Sequence, residues 1–248
     1  MTTFENDRGF NATKTSEDAA TRRVWDWPVR VFHWSMVVAF IGAFVTNRLG
    51  VGYFKYHSLF GYMVIVLVGF RLVWGVVGTH HARFANFLRG PRAAANYLRE
   101  LFEGAAAHHA GHNPLGAIMV IALLLALAAQ AIFGLFADDE IFNVGPLTAL
   151  VSKEHSLLMT SLHRKLFYVI AAAVALHVGA VIAHVAIKRE PLVRAMITGL
   201  KPAHSVRFGE EIHSSRGLLA LAVFVAVAFV FAAVVYSAPT PGADFAGL

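Results

Sequence analysis

The sequence contains no cysteine and few charged residues. Without a thiol, the chain can form no disulfide bond, thiolate metal site, iron–sulfur cluster or thioether-linked cofactor, so histidine, methionine or oxygen atoms must hold any metal. Only 15% of the residues are charged, whereas 57% are hydrophobic. A typical soluble domain has about 25% charged residues, so this composition indicates an integral membrane protein.

Five apolar segments are long enough to cross the roughly 30 Å hydrocarbon core as helices of about 20 residues or more. They are residues 29–48, 57–77, 114–136, 161–187 and 217–236. The apolar runs are continuous and do not alternate, which excludes a transmembrane β-barrel. We therefore predict an all-α fold, an integral membrane helical bundle with four core spans and a fifth, uniformly apolar C-terminal span.

Lys and Arg are unevenly distributed between the segments that join these spans. Fifteen lie in the N-terminal segment with the start of the first span and in loops 78–113 and 188–216, and the other side contains only Arg48, Lys55 and Lys153. Basic residues are enriched in cytoplasmic loops, which predicts a cytoplasmic N-terminus and an outer C-terminus. The formal net charge of +6 is explained by this topology, so we expect no nucleic-acid partner.

The segments outside the four core spans lead to further expectations. Residues 1–23 are polar, and we expect them to form a disordered cytoplasmic tail. Residues 200–216 are expected to be a cytoplasmic linker, and residues 217–248 the fifth span with an outer tail. The third span contains no histidine and is expected to be scaffold.

The fourth span carries His163 and His177, fourteen residues apart. A polar side chain within the bilayer costs about 2–3 kcal/mol or more unless it faces the bundle interior, so each histidine is a functional candidate. At 3.6 residues per turn and 1.5 Å per residue, the two imidazoles lie on one helix face about 21 Å apart. Histidines of one compact metal site are usually three or four residues apart, so this spacing predicts two stacked centres.

Haem b fits these centres, because it is a flat, apolar iron porphyrin that imidazole binds axially. Two closed centres require two further histidines from other spans at matching depths. His57, at the outer start of the second span, pairs with His163, and His33, at the cytoplasmic start of the first, pairs with His177. Each of these histidines taken alone is more often a core or interfacial residue, except His177, which has only apolar neighbours.

Three arginines are candidates for binding the haem propionates, because a guanidinium binds carboxylate in a bidentate manner. They are Arg71 in the second span, Arg30 one turn before the first-span histidine, and Arg164 beside the first histidine of the fourth span. For Arg71, snorkelling to the lipid headgroups is an equally weighted alternative. No residue is assigned a catalytic role.

Other histidines receive different interpretations. His184, two turns after His177, is expected to be a neighbour of the cytoplasmic centre or a quinone-site residue, not a ligand. His184, His155 and Glu154 are candidates for supplying protons to a quinone. The stretch "GAAAHHAGH" brings three histidines together, and we interpret it as a solvated linker in preference to a metal site, because no acidic partner is nearby.

The chain resembles the bacterial cytochrome b561 proteins and the b-type cytochrome subunit of nickel–iron hydrogenases. The resemblance covers residues 24–199 and depends on "VWDWPVRVFHW", "HSLFGYMVIVLVGFRLVWGVVG", "LHRKLFYVIAAAVALH" and the closing "RAMITG". It implies a four-helix di-haem cytochrome b domain in the bacterial inner membrane, where the outer C-terminus predicted from the basic residues would be periplasmic. The ligands implied by the motifs are His33, His57, His163 and His177.

The resemblance also implies a function, the transfer of electrons through two b-type haems. Electrons would pass between the quinone pool and a c-type cytochrome, a hydrogenase or another periplasmic redox protein. Two closed iron sites leave no position for oxygen or substrate, as expected of a carrier subunit in a quinone-linked oxidoreductase. The alternatives are a haem-containing membrane anchor without its own quinone site and a cofactor-free, histidine-based proton-coupled transporter. A homodimer is a further candidate assembly.

Overall fold

The computed structural model describes residues 20–105 and 109–239, which form eight α-helices and a two-stranded sheet. In chain order the elements are β1 (Thr21–Arg23), α1 (Trp27–Arg48), α2 (Phe54–Val77), α3 (Phe84–Phe87), α4 (Pro91–Phe102), α5 (Pro114–Leu135), α6 (Lys153–Ile187), α7 (Leu192–Thr198), β2 (Leu200–Pro202) and α8 (Gly217–Ser237). Five of the helices, α1, α2, α5, α6 and α8, are long and apolar enough to cross a membrane. The predicted all-α membrane bundle is confirmed.

Helix α6 is longer than the predicted span 161–187 and begins at Lys153. Ser152 caps this extension, because its Oγ accepts a hydrogen bond from the backbone N–H of His155 at 3.3 Å. The helix has 35 residues. At 1.5 Å per residue its length is about 52 Å, which exceeds the hydrocarbon core. His163 therefore lies ten residues after the start of its helix, not near a helix end.

The chain divides into two compact units. The first unit comprises the described residues up to Arg30 together with Gly75–Ile118 and Ala180–Gly217. It contains the sheet, the three short helices and one end of each long helix. The second unit comprises Val31–Trp74, Met119–Gly179 and the described residues from Leu218 onward, and it contains the remaining length of the five long helices.

In the second unit, helix α8 packs along α2. A Cβ atom added to Gly69 of α2 would lie 2.8 Å from Cγ1 of Val227 on α8, so the two helices approach closely at a glycine. The rings of Tyr62 and Phe231 have centroids 5.6 Å apart. The fifth span is therefore a packed member of the bundle.

In the first unit, the chain before α1 is bound to the chain after α7. Strand β1 pairs antiparallel with β2, and the backbone N–H groups of Val24 and Trp25 donate to the carbonyl of Gly199 at 2.9 and 3.2 Å. Gly199 ends α7 with a φ of +84°, and a Cβ there would lie 2.6 Å from the carbonyl oxygen of Trp25. Glycine has no Cβ, so it can adopt this positive φ and also allow this close contact. The motifs "VWDWPVR" and "RAMITG" thus meet in space.

A buried carboxylate fixes the start of α1. Asp26 is 1% exposed, and its Oδ1 accepts a hydrogen bond from the backbone N–H of Val29 at 2.7 Å, as an N-cap does. Its Oδ2 accepts a hydrogen bond from the hydroxyl of Thr79, a buried residue that follows the end of α2. One side chain therefore caps α1 and links it to the turn after α2.

Replacing this carboxylate should destabilise the fold. We expect Asp26→Ala to lower the free energy of unfolding by about 1 kcal/mol through the lost cap, and by about 1–3 kcal/mol more because the Thr79 hydroxyl loses its buried acceptor. Denaturant titration of the purified protein in mild detergent measures the change. Glu103→Ala is the matched control, because this exposed carboxylate forms only an i,i+4 ion pair with Arg99. Its effect should stay below about 0.5 kcal/mol, and equal losses in the two variants would contradict the proposed role of Asp26.

Candidate functional site

His57 and His163 face each other within the second unit. Their ring centroids are 6.1 Å apart and their planes are inclined by 85°. His57 lies one turn into α2, and His163 lies on α6. The structure thus brings together two histidines that are separated by more than one hundred residues in the sequence.

Hydrogen bonds to backbone carbonyls orient both of these imidazoles. Nδ1 of His57 is 2.9 Å from the carbonyl oxygen of Ala43 on α1. Nδ1 of His163 is 2.8 Å from the carbonyl oxygen of Gln130 on α5. A carbonyl oxygen can only accept, so each Nδ1 carries the hydrogen and each Nε2 keeps its lone pair. Metal-binding histidines are typically held in this tautomer by such a bond.

The distance between these rings fits axial binding of a single metal ion. An imidazole nitrogen binds a first-row metal such as zinc at about 2.0–2.1 Å, so two imidazoles on opposite sides of one metal have centroids about 6 Å apart. The observed distance between the centroids is 6.1 Å. The donor set and its spacing therefore suit a haem iron.

Helix α5 contributes to this site although it contains no histidine. It supplies the Gln130 carbonyl, and Gly134, one turn later, lies directly against the His163 ring. A Cβ added to Gly134 would lie 3.0 Å from Cε1 and 3.2 Å from Nδ1 of His163. The expectation that the third span is only scaffold is therefore incomplete. In the sequence, the only signal for the contact of α5 with His163 was Gly134, which lies one turn after the polar residue Gln130.

His33 on α1 and His177 on α6 form a second pair in the same unit. The two imidazoles are close enough to interact electrostatically. The His33 ring meets Trp34 edge to face with centroids 5.1 Å apart. Its Nδ1 is buried and has no hydrogen-bond partner among the residues that the structure describes. Buried polar atoms are nearly always bonded, so this nitrogen fits a site whose ligand is not a protein group.

An aromatic layer lies between the levels of the two histidine pairs. Phe167, four residues after His163 on α6, stacks on Phe44 of α1 with centroids 5.5 Å apart and planes inclined by 3°. Phe40 lies on the same ring at 6.4 Å. Phe167 thus lies between His163 and His177 along α6, and Phe40 lies between His33 and Ala43 along α1.

The three candidate arginines have different surroundings. Arg71 is 3% exposed within the second unit, which favours the propionate role over snorkelling, because a snorkelling guanidinium lies at the membrane surface. Arg164 lines a surface pocket of about 260 Å³ with Asp138, Asp139 and Glu140. Arg30 lies in the first unit, where its Nη1 donates to the carbonyl of Thr198 at 3.2 Å. Binding of propionate by these arginines stays a prediction.

His184 has both ring nitrogens engaged in the first unit. Its Nδ1 donates to the carbonyl of Ala180 at 2.9 Å, and its Nε2 lies 3.4 Å from the hydroxyl of Tyr97. Burial and the negative charge of Glu190 raise the pKa of Tyr97 to about 12, so this hydroxyl stays protonated and donates to the imidazole. The arrangement fits a neighbouring role for His184 better than a ligand role.

No group of three or more His, Asp or Glu side chains within residues 20–105 and 109–239 is arranged to hold a metal ion. Of the three loop histidines, His108 lies outside the described residues, whereas His109 and His112 line a cavity in the first unit. The paired span histidines are therefore the candidate centres in the described part of the chain.

Long apolar helices that bring two oriented imidazoles face to face are features of a class, the membrane cytochromes of b type. The sequence model of the prokaryotic cytochrome b561 family matches residues 24–199, and the chain belongs to this family. Its members bind b-type haem and transfer electrons across the membrane, and the five candidate spans agree with a multi-pass protein of the inner membrane. No curated protein and no solved structure matches the chain significantly.

Enlarging Gly134 should disturb the His163 imidazole. We expect Gly134→Val to lower the haem content per chain, because the new side chain occupies the space against the ring. Gly179→Val on α6 is the matched control, since a Cβ there meets no atom within 4 Å. Quantitative haem extraction from the purified variants measures the effect. An equal haem content in the two variants would show that the close packing on His163 is not required.

Proposed function

We propose that the chain holds two b haems and passes electrons between the quinone pool and a redox partner at the other face of the membrane. One haem would lie between His57 and His163, and the other between His33 and His177. The main supporting observation is that His57 and His163 face each other at 6.1 Å, each oriented by a carbonyl of another helix. When bound, haem supplies an iron atom that cycles between two oxidation states.

The side chains of the chain would bind, orient and insulate these groups. His33, His57, His163 and His177 would hold the two haems, and with two imidazoles for each haem neither site would offer a place for oxygen or substrate. The carbonyls of Ala43 and Gln130 fix the ring directions and increase the basicity of Nε2. The stacked rings of Phe40, Phe44 and Phe167 place apolar surface beside the proposed sites. The buried Arg71 is suited to bind a propionate.

The proposal includes an orientation of the chain in the membrane. The fifteen Lys and Arg residues in the N-terminal segment with the start of the first span and in loops 78–113 and 188–216 support a cytoplasmic location for these segments. The quinone would exchange protons through Tyr97 and His184, which are linked by a hydrogen bond. The redox partner would then bind at the periplasmic side, where α1 meets α2 and α5 meets α6.

Replacing the four proposed ligands should remove haem in pairs. We expect the wild type to contain two haems per chain and each single His→Ala variant at positions 33, 57, 163 and 177 to contain at most one. The double variant His57→Ala/His163→Ala should lose no more haem than either single variant, because both residues hold the same group. Haem extraction and reduced-minus-oxidised spectra measure these numbers.

His213→Ala is the control for these variants, since this exposed histidine lies in the loop between β2 and α8 and is not a proposed ligand or proton donor. It should retain two haems. A colourless wild type expressed with ample haem, or four ligand variants with full haem content, would contradict the proposal.

Electron transfer across a sealed membrane separates the proposed function from that of a passive anchor. In proteoliposomes, we expect external quinol to reduce ferricyanide sealed inside, in the wild type and in His213→Ala. His177→Ala should lose this activity, because one of the two centres is missing. An anchor without a quinone site predicts haems that quinol does not reduce, and that result would exclude the conductor.

A further inference from the structure

The first unit contains a cavity of about 240 Å³ that plays no part in the proposed haem sites. It is lined by the turn after α2, the segment before α5 and the segment after β2. Its polar lining includes four histidines and two arginines, namely His80, His81, His109, His112, Arg89 and Arg207. Glu210 is the one carboxylate among its described lining residues.

Hydrogen bonds fix the walls of this cavity. His81 is 7% exposed, and its Nε2 lies 2.7 Å from the carbonyl oxygen of Glu210. Gly111 packs against the same ring, since a Cβ there would lie 3.0 Å from Nδ1 of His81. Asn86 donates from Nδ2 to the carbonyl of His80 at 2.7 Å. The cavity is therefore formed by segments that are bound to one another.

A buried lysine lies beside the cavity. Lys201 is 5% exposed, and its Nζ donates to the carbonyl of His109 at 2.8 Å. Burial lowers the pKa of Lys201, and the charge of Glu190 opposes this only in part. Burial is also the main reason why the pKa of His81 is lowered, and the positive charge of Lys201 adds to the shift. Both shifts favour the neutral forms, so Arg89 and Arg207 supply the positive charge of the lining.

We propose that this cavity binds a phosphate-bearing anion, either the headgroup of an anionic phospholipid or inorganic phosphate. Arg89 and Arg207 offer guanidinium forks for phosphate oxygens. Drug-sized ligands occupy about 300–1,000 Å³, so this smaller cavity suits a headgroup better than a nucleotide. It adjoins Pro114, the first residue of a membrane span, and basic pockets beside such spans bind anionic headgroups.

The test compares two double variants of the haem-loaded protein. Arg89→Gln/Arg207→Gln removes both guanidinium groups from the cavity lining. Arg92→Gln/Arg194→Gln is the matched control, because it removes two charges from exposed positions on α4 and α7 that do not line the cavity. Wild-type haem content in both proteins shows that they are folded. If the first variant loads no haem, the single variant Arg207→Gln replaces it.

Two probes distinguish the sources of phosphate. Native mass spectrometry of protein released from nanodiscs of phosphatidylglycerol and phosphatidylcholine detects anionic lipid that stays bound. Binding of free phosphate is detected as a higher Tm in inorganic phosphate than in chloride at equal ionic strength. We expect the wild type and the control to bind at least one probe and the cavity variant to bind it at least tenfold more weakly. For the single variant, at least threefold weaker binding is expected.

The outcomes of this test are separable. Loss of bound phosphatidylglycerol alone assigns the site to a lipid headgroup, and loss of the phosphate-dependent Tm shift alone assigns it to free phosphate. Binding of neither probe by the wild type, or equal binding by the cavity variant and the control, overturns the proposal. Haem content is measured independently, so a negative result leaves the electron-transfer proposal unaffected.

Discussion

The hydrogen bond from an imidazole Nδ1 to a carbonyl of another helix is the interaction on which the candidate haem site depends. Inside a helix each carbonyl already accepts one hydrogen bond, but its oxygen has a second lone pair. His57 uses the second acceptor position of Ala43, and His163 uses that of Gln130. Because a carbonyl cannot donate, the bond fixes the tautomer of each ring and directs its Nε2 away from the supporting helix. The packing of α1 on α2 and of α5 on α6 thereby sets the direction of both ligands.

This mechanism explains which features of the site the sequence could predict. The spans follow from the length of the apolar runs, and the two levels follow from the fourteen-residue spacing on one helix, because both signals are periodic. The contribution of Gln130 is made by its backbone, which is identical for every residue type, so no side-chain pattern predicts it. The role of Gly134 depends on how closely α5 approaches α6. No local pattern in the amino-acid sequence predicts this distance.

The same reasoning applies to the ends of the elements. The start of α6 at Lys153 was missed because the first turns of the helix are polar, although Ser152 provides a capping signal. Strands β1 and β2 contain three residues each, too few for an alternating pattern. They lie in segments predicted to be tail and linker, and pairing across some 180 residues of sequence cannot be inferred from either strand alone. Gly199 is different, since its positive φ and its contact with Trp25 explain why a glycine closes the "RAMITG" motif.

Histidine serves several roles in this cysteine-free chain. These roles are distinguished by whether the Nε2 atom of the imidazole already has a partner within the protein. In His57 and His163, Nδ1 is bonded to a carbonyl, and Nε2 retains a lone pair for a metal. In His184 the hydroxyl of Tyr97 lies at Nε2, and in His81 this nitrogen is directed to the carbonyl of Glu210. Residue type and hydropathy are the same in all of these cases, so composition cannot tell ligand from structural histidine. The distinction arises from tertiary contacts, because they decide which nitrogen is already bonded.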